Sequence, residues 1–478
     1  MRLGSIFAAS RWIGIRTGAF IPMFIKKSLL AVGLTAITAF VASAAAQEEK
    51  PKPQVLFTNV NIFDGKNDKL AEGMSVLVEG NLIKKVAKGD IEAGGAKVID
   101  GGGRTLMPGQ INSHVHLALP AAIPAVESNM LVGDIIIGSQ LMAKGYLMDG
   151  FTTLRDAGGN VFAVKKAIDR GDLLGPRIYP SGALISQQGG HFDLRNLSQR
   201  KGESQHERFG NVAITDGVDE VLSAARSNFR LKASQLKICA GGGAASDFDP
   251  VDTLQFTPEE IKAAVTTANN WHTYVAAHIF IPQAMHIAAD LGVMVFDHAF
   301  LIDESAMQKV VEKGIFLVPQ MNGLSPELLR NPILGPQNLV KVKTVHEQAG
   351  DFVKLIKKYK PNIVFADDAF GTSDVVAKQR RFELGYRASI FGNFETLRQA
   401  TSAGGELMAL TGPRNPYPGK LGVIEEGALA DIIVVDGNPL KDISVIGGTM
   451  EWFDAPSPQP IETLDLIMKD GQIYKNTL

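Results

Sequence analysis

Between residues 106 and 410 the chain repeats one pattern eight times: a short apolar run of strand character, then a stretch with helical spacing. The runs fall at 106–116, 152–156, 177–185, 235–240, 273–278, 293–298, 315–320 and 362–368. Helix-like segments lie between them, for example at 258–269, 282–291 and 304–313. Strands that alternate with helices pair in parallel, because each helix carries the chain back to the starting edge. Eight such units in about 300 residues predict a (β/α)8 barrel, or TIM barrel, an α/β fold. A doubly wound open sheet is the alternative, but no Gly-x-Gly-x-x-Gly turn follows the first run.

The flanks have another texture. Short strand-like runs and turns fill 53–103, at 55–60, 75–78 and 82–86, and return after Gly419 at 430–435, 464–469 and 472–474. Val78-Glu79-Gly80-Asn81-Leu82 and Met468-Lys469-Asp470-Gly471-Gln472-Ile473 read as strand-turn-strand hairpins. Neither flank is large enough to close a core alone, so both are expected to pack together as one small composite β-sandwich. The expected division is a leader at 1–46, sandwich at 47–105, barrel at 106–410 and sandwich again at 411–478.

Lys26-Lys27, an apolar stretch at 29–41 and Ala44-Ala45-Ala46 form the pattern of a secretory signal peptide. The apolar stretch falls short of the ~20 residues a spanning helix needs, which disfavours an uncleaved anchor. Cleavage after Ala46 would export the protein, to the periplasm or outside the cell, with no stable membrane anchor. The stretch before Lys26 is long for such a signal, which makes Met23 a competing start. Cys239 is the only cysteine, so no intrachain disulfide forms and no lipid attaches near the cleavage point. A formal net charge of −2 without any basic block argues against nucleic-acid binding.

His114-Val115-His116 closes the first run. Residues two apart on a strand point to the same side, so two imidazoles leave the strand end in parallel, as chelation of one metal ion requires. Alone, such a pair is as often a polar strand end. His278 and His298 each end a run, about one βα unit apart, and are expected at the carboxyl face where barrel enzymes place their sites. Either histidine by itself reads as a core or capping residue; two at equivalent positions, on the face of His114 and His116, argue for a metal centre. Lys237 lies in a run expected to be buried on both faces, where lysine is rare without a partner. Its stem could be buried with the ammonium at the strand end. An ammonium would be repelled by metal ions, whereas a carboxylated lysine is anionic and can bridge two. Asp368 ends the eighth run and completes a mixed nitrogen and oxygen set; Asp367 competes for that place, and one of the two would cap the next helix.

The order His-x-His, Lys, His, His, Asp on runs one, four, five, six and eight resembles the binuclear branch of the amidohydrolase superfamily. Leu106-Met-Pro-Gly-Gln-Ile-Asn-Ser-His-Val-His116 is similar to its opening motif, with Asn112 where Asp is common. Gly427-Ala-Leu-Ala-Asp-Ile-Ile-Val-Val-Asp436 resembles its closing sandwich strand, and the likeness spans roughly 53 to 475. Val275-Ala-Ala-His278 and Gly189-Gly-His191 resemble the imidazolonepropionase-like group. That group includes metal-dependent dipeptidases acting on Xaa-Pro or Xaa-Arg/Lys substrates, and ochratoxin-hydrolysing amidases.

The resemblance implies that His114, His116 and Asp368 hold a more buried metal ion and His278 and His298 a more exposed one. Carboxylated Lys237 would bridge them, and the family aspartate aligns on Asp368-Ala369. Four imidazoles with oxygen ligands favour zinc, though cobalt or manganese also fits. Such a site generates hydroxide near neutral pH, and Asp368 would pass its proton to the leaving nitrogen. The implied substrate is a small molecule or dipeptide, and relatives imply a homo-oligomer. His191 stands in a long loop at 186–210, read either as a lid whose histidine contacts the substrate or as a solvated loop. Cys239 reads as a small buried hydrophobe, and His206, His272, His286 and His346 as surface or helix residues. Phe280 departs from related dipeptidases, which tend to carry a polar ring there, and a phenyl group suits an apolar or aromatic substrate group instead. Two further readings remain: a cyclic-amide hydrolase, disfavoured by the leader, and an inactive binding protein, disfavoured by the full ligand set.

Overall fold

Pro108-Gly109 divides the first apolar run between two sheets. Thr105–Pro108 pairs antiparallel with Ile432–Val435 and parallel with Gln54–Ile62, whereas Gln110–Val115 pairs parallel with Phe151–Asp156. Gly109 permits the crossing because a Cβ there would lie 2.2 Å from Thr152 Oγ1. These observations come from a computed structural model that describes residues 52–478 apart from 122, 247, 332 and 333; the leader read at 1–46 lies outside the described residues. The chain from Lys52 to Leu478 is one compact unit.

The flanking sheet has eight strands drawn from both ends of this unit. Ala71–Glu79 and Leu82–Lys88 form one antiparallel hairpin, and Leu464–Lys469 with Gln472–Asn476 the other, at the turns read from the sequence. Phe57, Val60, Leu106, Val434 and Leu466 are buried between them, so strands from opposite ends of the chain share one core.

The remaining strands run parallel. Gln110–Val115, Phe151–Asp156 and Arg177–Pro180 form a three-stranded sheet. Leu184–Ser186, Leu236–Cys239, Val275–Ile279, Val295–His298, Phe316–Val318 and Asn362–Ile363 follow one another in a seven-stranded sheet. Its outer strand, Val212–Ile214, was not anticipated and lies just past the long loop. Backbone bonds connect the two parallel sheets at both sides. Ser234 N donates to Pro180 O at 2.8 Å, Ser113 N to Phe365 O at 2.9 Å, and Asp368 N to His114 O at 3.0 Å. The end of the eighth run therefore lies against the first.

Helices return the chain between strands, and their ends are set locally. Pro258–Asn270 starts with a capping box, in which Thr257 Oγ1 accepts from Glu260 N at 3.4 Å and the Glu260 carboxylate accepts from Thr257 N at 2.7 Å. Pro282–Leu291 stops at Gly292, whose φ of 100° only glycine adopts freely. Ile238, Ala277, Ile279, Phe296 and Leu317 lie in one core between the strands and such helices. That packing leaves the strand ends to carry polar groups.

Candidate metal centre

Each of the four strand-end histidines has one ring nitrogen committed to an acceptor. His114 Nδ1 lies 3.0 Å from Asp297 Oδ1, and His116 Nδ1 lies 3.1 Å from Gly158 O. His298 Nδ1 lies 2.7 Å from Gln320 Oε1, and His278 Nε2 lies 3.1 Å from Gly242 O. Carbonyl and carboxylate oxygens only accept, so these ring nitrogens carry the proton. The opposite nitrogens are left as lone pairs: Nε2 of His114, His116 and His298, and Nδ1 of His278. An outer acceptor that fixes the tautomer is how proteins orient imidazoles toward a metal.

The lone pairs converge. His114 Nε2 and His116 Nε2 are 3.2 Å apart, and each is 3.3 Å from Asp368 Oδ1. His114, His298 and Asp368 offer ligand atoms all within 4.8 Å of one another. Two imidazoles and a carboxylate at this spacing form a donor set among which a cation fits. Burial pushes His298 down to about 3 and His278 well below the usual imidazole range, so both rings are neutral at pH 7, as ligation requires. His116 departs from this: burial pushes it down, but the Asp368 carboxylate outweighs burial and raises it. Asp368 itself is pushed up by burial and held well below the carboxylate range by His114 and His116. Asp368 is therefore ionised beside these rings, as a ligand carboxylate must be.

Some of the chain's left-handed non-glycine residues fall at this site. His298 and Asp368 have φ of 71° and 50°, in the left-handed region, and Ala299 follows at 57°. Such conformations cost non-glycine residues on the order of 1–3 kcal/mol and concentrate at functional sites. Asp367 faces the other way: it is fully buried and accepts the Tyr146 hydroxyl at 2.9 Å. It does not cap Ser373–Phe391, whose N-cap makes no side-chain bond.

Lys237 is 1% exposed and lines a cavity with the four histidines and Asp368. Its ammonium pairs with Asp297, which also receives the Arg155 guanidinium and His114. Sequence reasoning missed Asp297. The available signal was an acidic residue inside a run otherwise apolar, directly before His298. Gln320, which fixes His298, was likewise missed.

His191 is packed rather than solvated. Its ring stacks on His278 at 3.8 Å between centroids. His206, on the short helix Gln205–Arg208, is buried and bonded to Ile123 O. Cys239 is buried, as expected. Beside the histidines opens a cavity of about 140 Å3, lined in part by Phe280, Phe300, Phe370 and Trp452. Phe280 packs 5.4 Å from His298 and 5.6 Å from Phe300, ring centre to ring centre. Among the described residues, no lysine or arginine lines this cavity. Trp452, reaching in from the C-terminal flank, carried no signal in the sequence.

A match to the amidohydrolase family model covers residues 105–473, so the chain belongs to the amidohydrolase family. It is thereby a hydrolase acting on amide bonds. Ochratoxinase of Aspergillus niger is 30% identical over 383 residues, covering 77% of this chain and 75% of that protein. The crystal structure of a prolidase complexed with N-methylphosphonate-L-proline is 30% identical with a TM-score of 0.78, covering 89% of this chain and all of the other. A Xaa-Pro dipeptidase with methionine bound in its active site is 27% identical with a TM-score of 0.75, covering 88% of this chain and 100% of that one.

Proposed function

We propose that this protein cleaves the amide bond of a peptide-like or N-acyl amino acid substrate at a site for two divalent ions. The observation that carries the proposal is the convergence of His114 Nε2 and His116 Nε2 on the Asp368 carboxylate. His114, His116 and Asp368 would hold one ion, and His278 and His298 the other. Lys237 would join both as its carbamate, formed when the neutral amine adds CO2 and releases a proton. That requires Lys237 to exchange its Asp297 partner for the ions. Zinc suits this set best, with cobalt or manganese as substitutes. The parallel strands, linked through Ser113–Phe365 and Ser234–Pro180, are read as a closed (β/α)8 barrel at 106–410, with the flanks as a composite sandwich.

When bound, the ions supply a water ionised near neutral pH and polarise the scissile carbonyl. The chain supplies the rest. The Asp368 side chain keeps 27% of its surface exposed, and its carboxylate takes the proton of the attacking water and returns it to the leaving nitrogen. His191 binds the substrate carbonyl or carboxylate. The cavity walls exclude water and seat an apolar group.

Substrate class follows from that wall. Phe280, Phe300, Phe370 and Trp452, with no carboxylate but Asp368 among the described lining residues, favour an aromatic or apolar group over a basic one. An aromatic acyl group on phenylalanine, the ochratoxin type, matches this and accords with the ochratoxinase relative. Initial rates on N-benzoyl-phenylalanine, Xaa-Pro and Xaa-Arg dipeptides test it. The aromatic amide is expected to have the highest kcat/KM, by about tenfold or more, the range one apolar contact commands. Faster cleavage of the prolyl or basic dipeptide would refute the assignment. Export rests on the leader-like segment alone. A homo-oligomer accords with the exposed apolar stripe Val132, Ile136, Ile137 and Leu141 on the helix Val132–Met148.

A further inference from the structure

His191 is held by a relay that its own loop does not contain. Its Nδ1 lies 3.0 Å from Ser246 Oγ and 3.4 Å from Asp249 Oδ2. Ser246 Oγ in turn sits in close contact with Asp249 Oδ1. An ionised carboxylate only accepts, so the Ser246 hydroxyl donates to Asp249 and accepts from His191 Nδ1–H. The chain of donors therefore runs one way, and it fixes the proton on Nδ1. His191 Nε2 remains for a ligand in the two cavities that His191 lines.

The support is built from the segment after the Lys237 strand. Asp249 is 2% exposed and also accepts from Gly243 N and from Gln255 Nε2, both at 3.0 Å. Gln255 Oε1 accepts His191 N at 2.9 Å, so the backbone and the ring of His191 are tied to the same carboxylate network. Lys341 Nζ clamps the segment by donating to Ser246 O at 2.7 Å and Asp249 O at 2.6 Å. Gly243 completes the fit: a Cβ there would lie 2.2 Å from His191 Cε1 and 2.7 Å from His278 Nε2. The backbone approaches both imidazoles as closely as glycine allows. A solvated loop histidine has no need of such a cradle.

From this geometry we infer that Ser246 and Asp249 are positioning residues, which orient His191 so that its Nε2 meets the oxygen of the bound substrate. The inference rests on the reading of His191 as a substrate contact. Two consequences separate it from a purely structural role. The loss on breaking the relay falls mainly on KM, because the contact is made to bound substrate. It also vanishes in a background that already lacks His191.

The test uses zinc-loaded full-length protein, N-benzoyl-phenylalanine as substrate, and the variants H191A, D249N, S246A and H191A/D249N. D249N is expected to lower kcat/KM by about 10- to 100-fold, the range typical of groups that orient a functional histidine. S246A lowers it in the same direction, zinc per chain matches wild type in both, and the double variant is no worse than H191A. Independent multiplication of the H191A and D249N losses would overturn the inference, as would wild-type kcat/KM in D249N beside an impaired H191A. Should D249N fail to fold, S246A decides: a wild-type KM beside an impaired H191A overturns the relay. An unimpaired H191A removes the substrate contact itself, and the relay with it.

Discussion

Asp368→Asn is expected to lower kcat for amide hydrolysis by about 1,000-fold while leaving the unfolding midpoint where it is. General acid–base catalysis by a placed side chain contributes on the order of 10²–10⁴ in rate. Asp368 is cast in that role and as a ligand together. Its Oδ1 stands 3.3 Å from both His114 Nε2 and His116 Nε2, so the amide replaces an anion at the point where two lone pairs meet. The fold should tolerate the change. Asp368 sits at φ 50°, and asparagine enters the left-handed region more readily than most residues. Steady-state kinetics beside a urea titration check both halves. A kcat reduced less than tenfold would show that the base lies elsewhere.

Asp297→Ala is expected to cost about 3–5 kcal/mol of stability, the penalty for leaving a buried charge without its partner. Lys237 and Arg155 are both at most 1% exposed, and both ion-pair with this one carboxylate. Burial pushes Asp297 up, and the two cations outweigh that and hold it well below the carboxylate range. Without it, these two buried cations lose the carboxylate they share. The loss is a large part of the ~5–15 kcal/mol that keeps an ordinary protein folded. A lowered urea midpoint or collapse of soluble yield is the readout, and Lys237→Met in the same background should recover part of it. An unchanged midpoint would mean that the cations find other anions.

What the sequence disclosed depended on how local the cause was. Strand ends are local features, so His114, His116, His278 and His298 could be placed from run boundaries, whereas the choice of Asp368 over Asp367 needed the family resemblance; the structure gathers all five at one site. The double use of the runs at 106–116 and 177–185 was not legible. A Pro-Gly pair announces a break but not which sheet takes each half. Outer partners were the least legible, because distant segments bring them together. Asp297 reaches His114 across 183 residues of chain, and Ser246 reaches His191 across 55. Trp452 enters the aromatic cavity from the far side of the last parallel strand, so no spacing in the sequence relates it to Phe280.

The central claim is a two-metal amide hydrolase, and metal stoichiometry coupled to activity tests it most directly. The purified, zinc-loaded protein is measured for metal per chain by plasma mass spectrometry, then assayed on N-benzoyl-phenylalanine before chelation, after it and after zinc is restored. The account predicts two ions per chain, loss of hydrolysis on chelation and its return with zinc. Fewer than one ion per chain, or hydrolysis that survives complete metal removal, would contradict it.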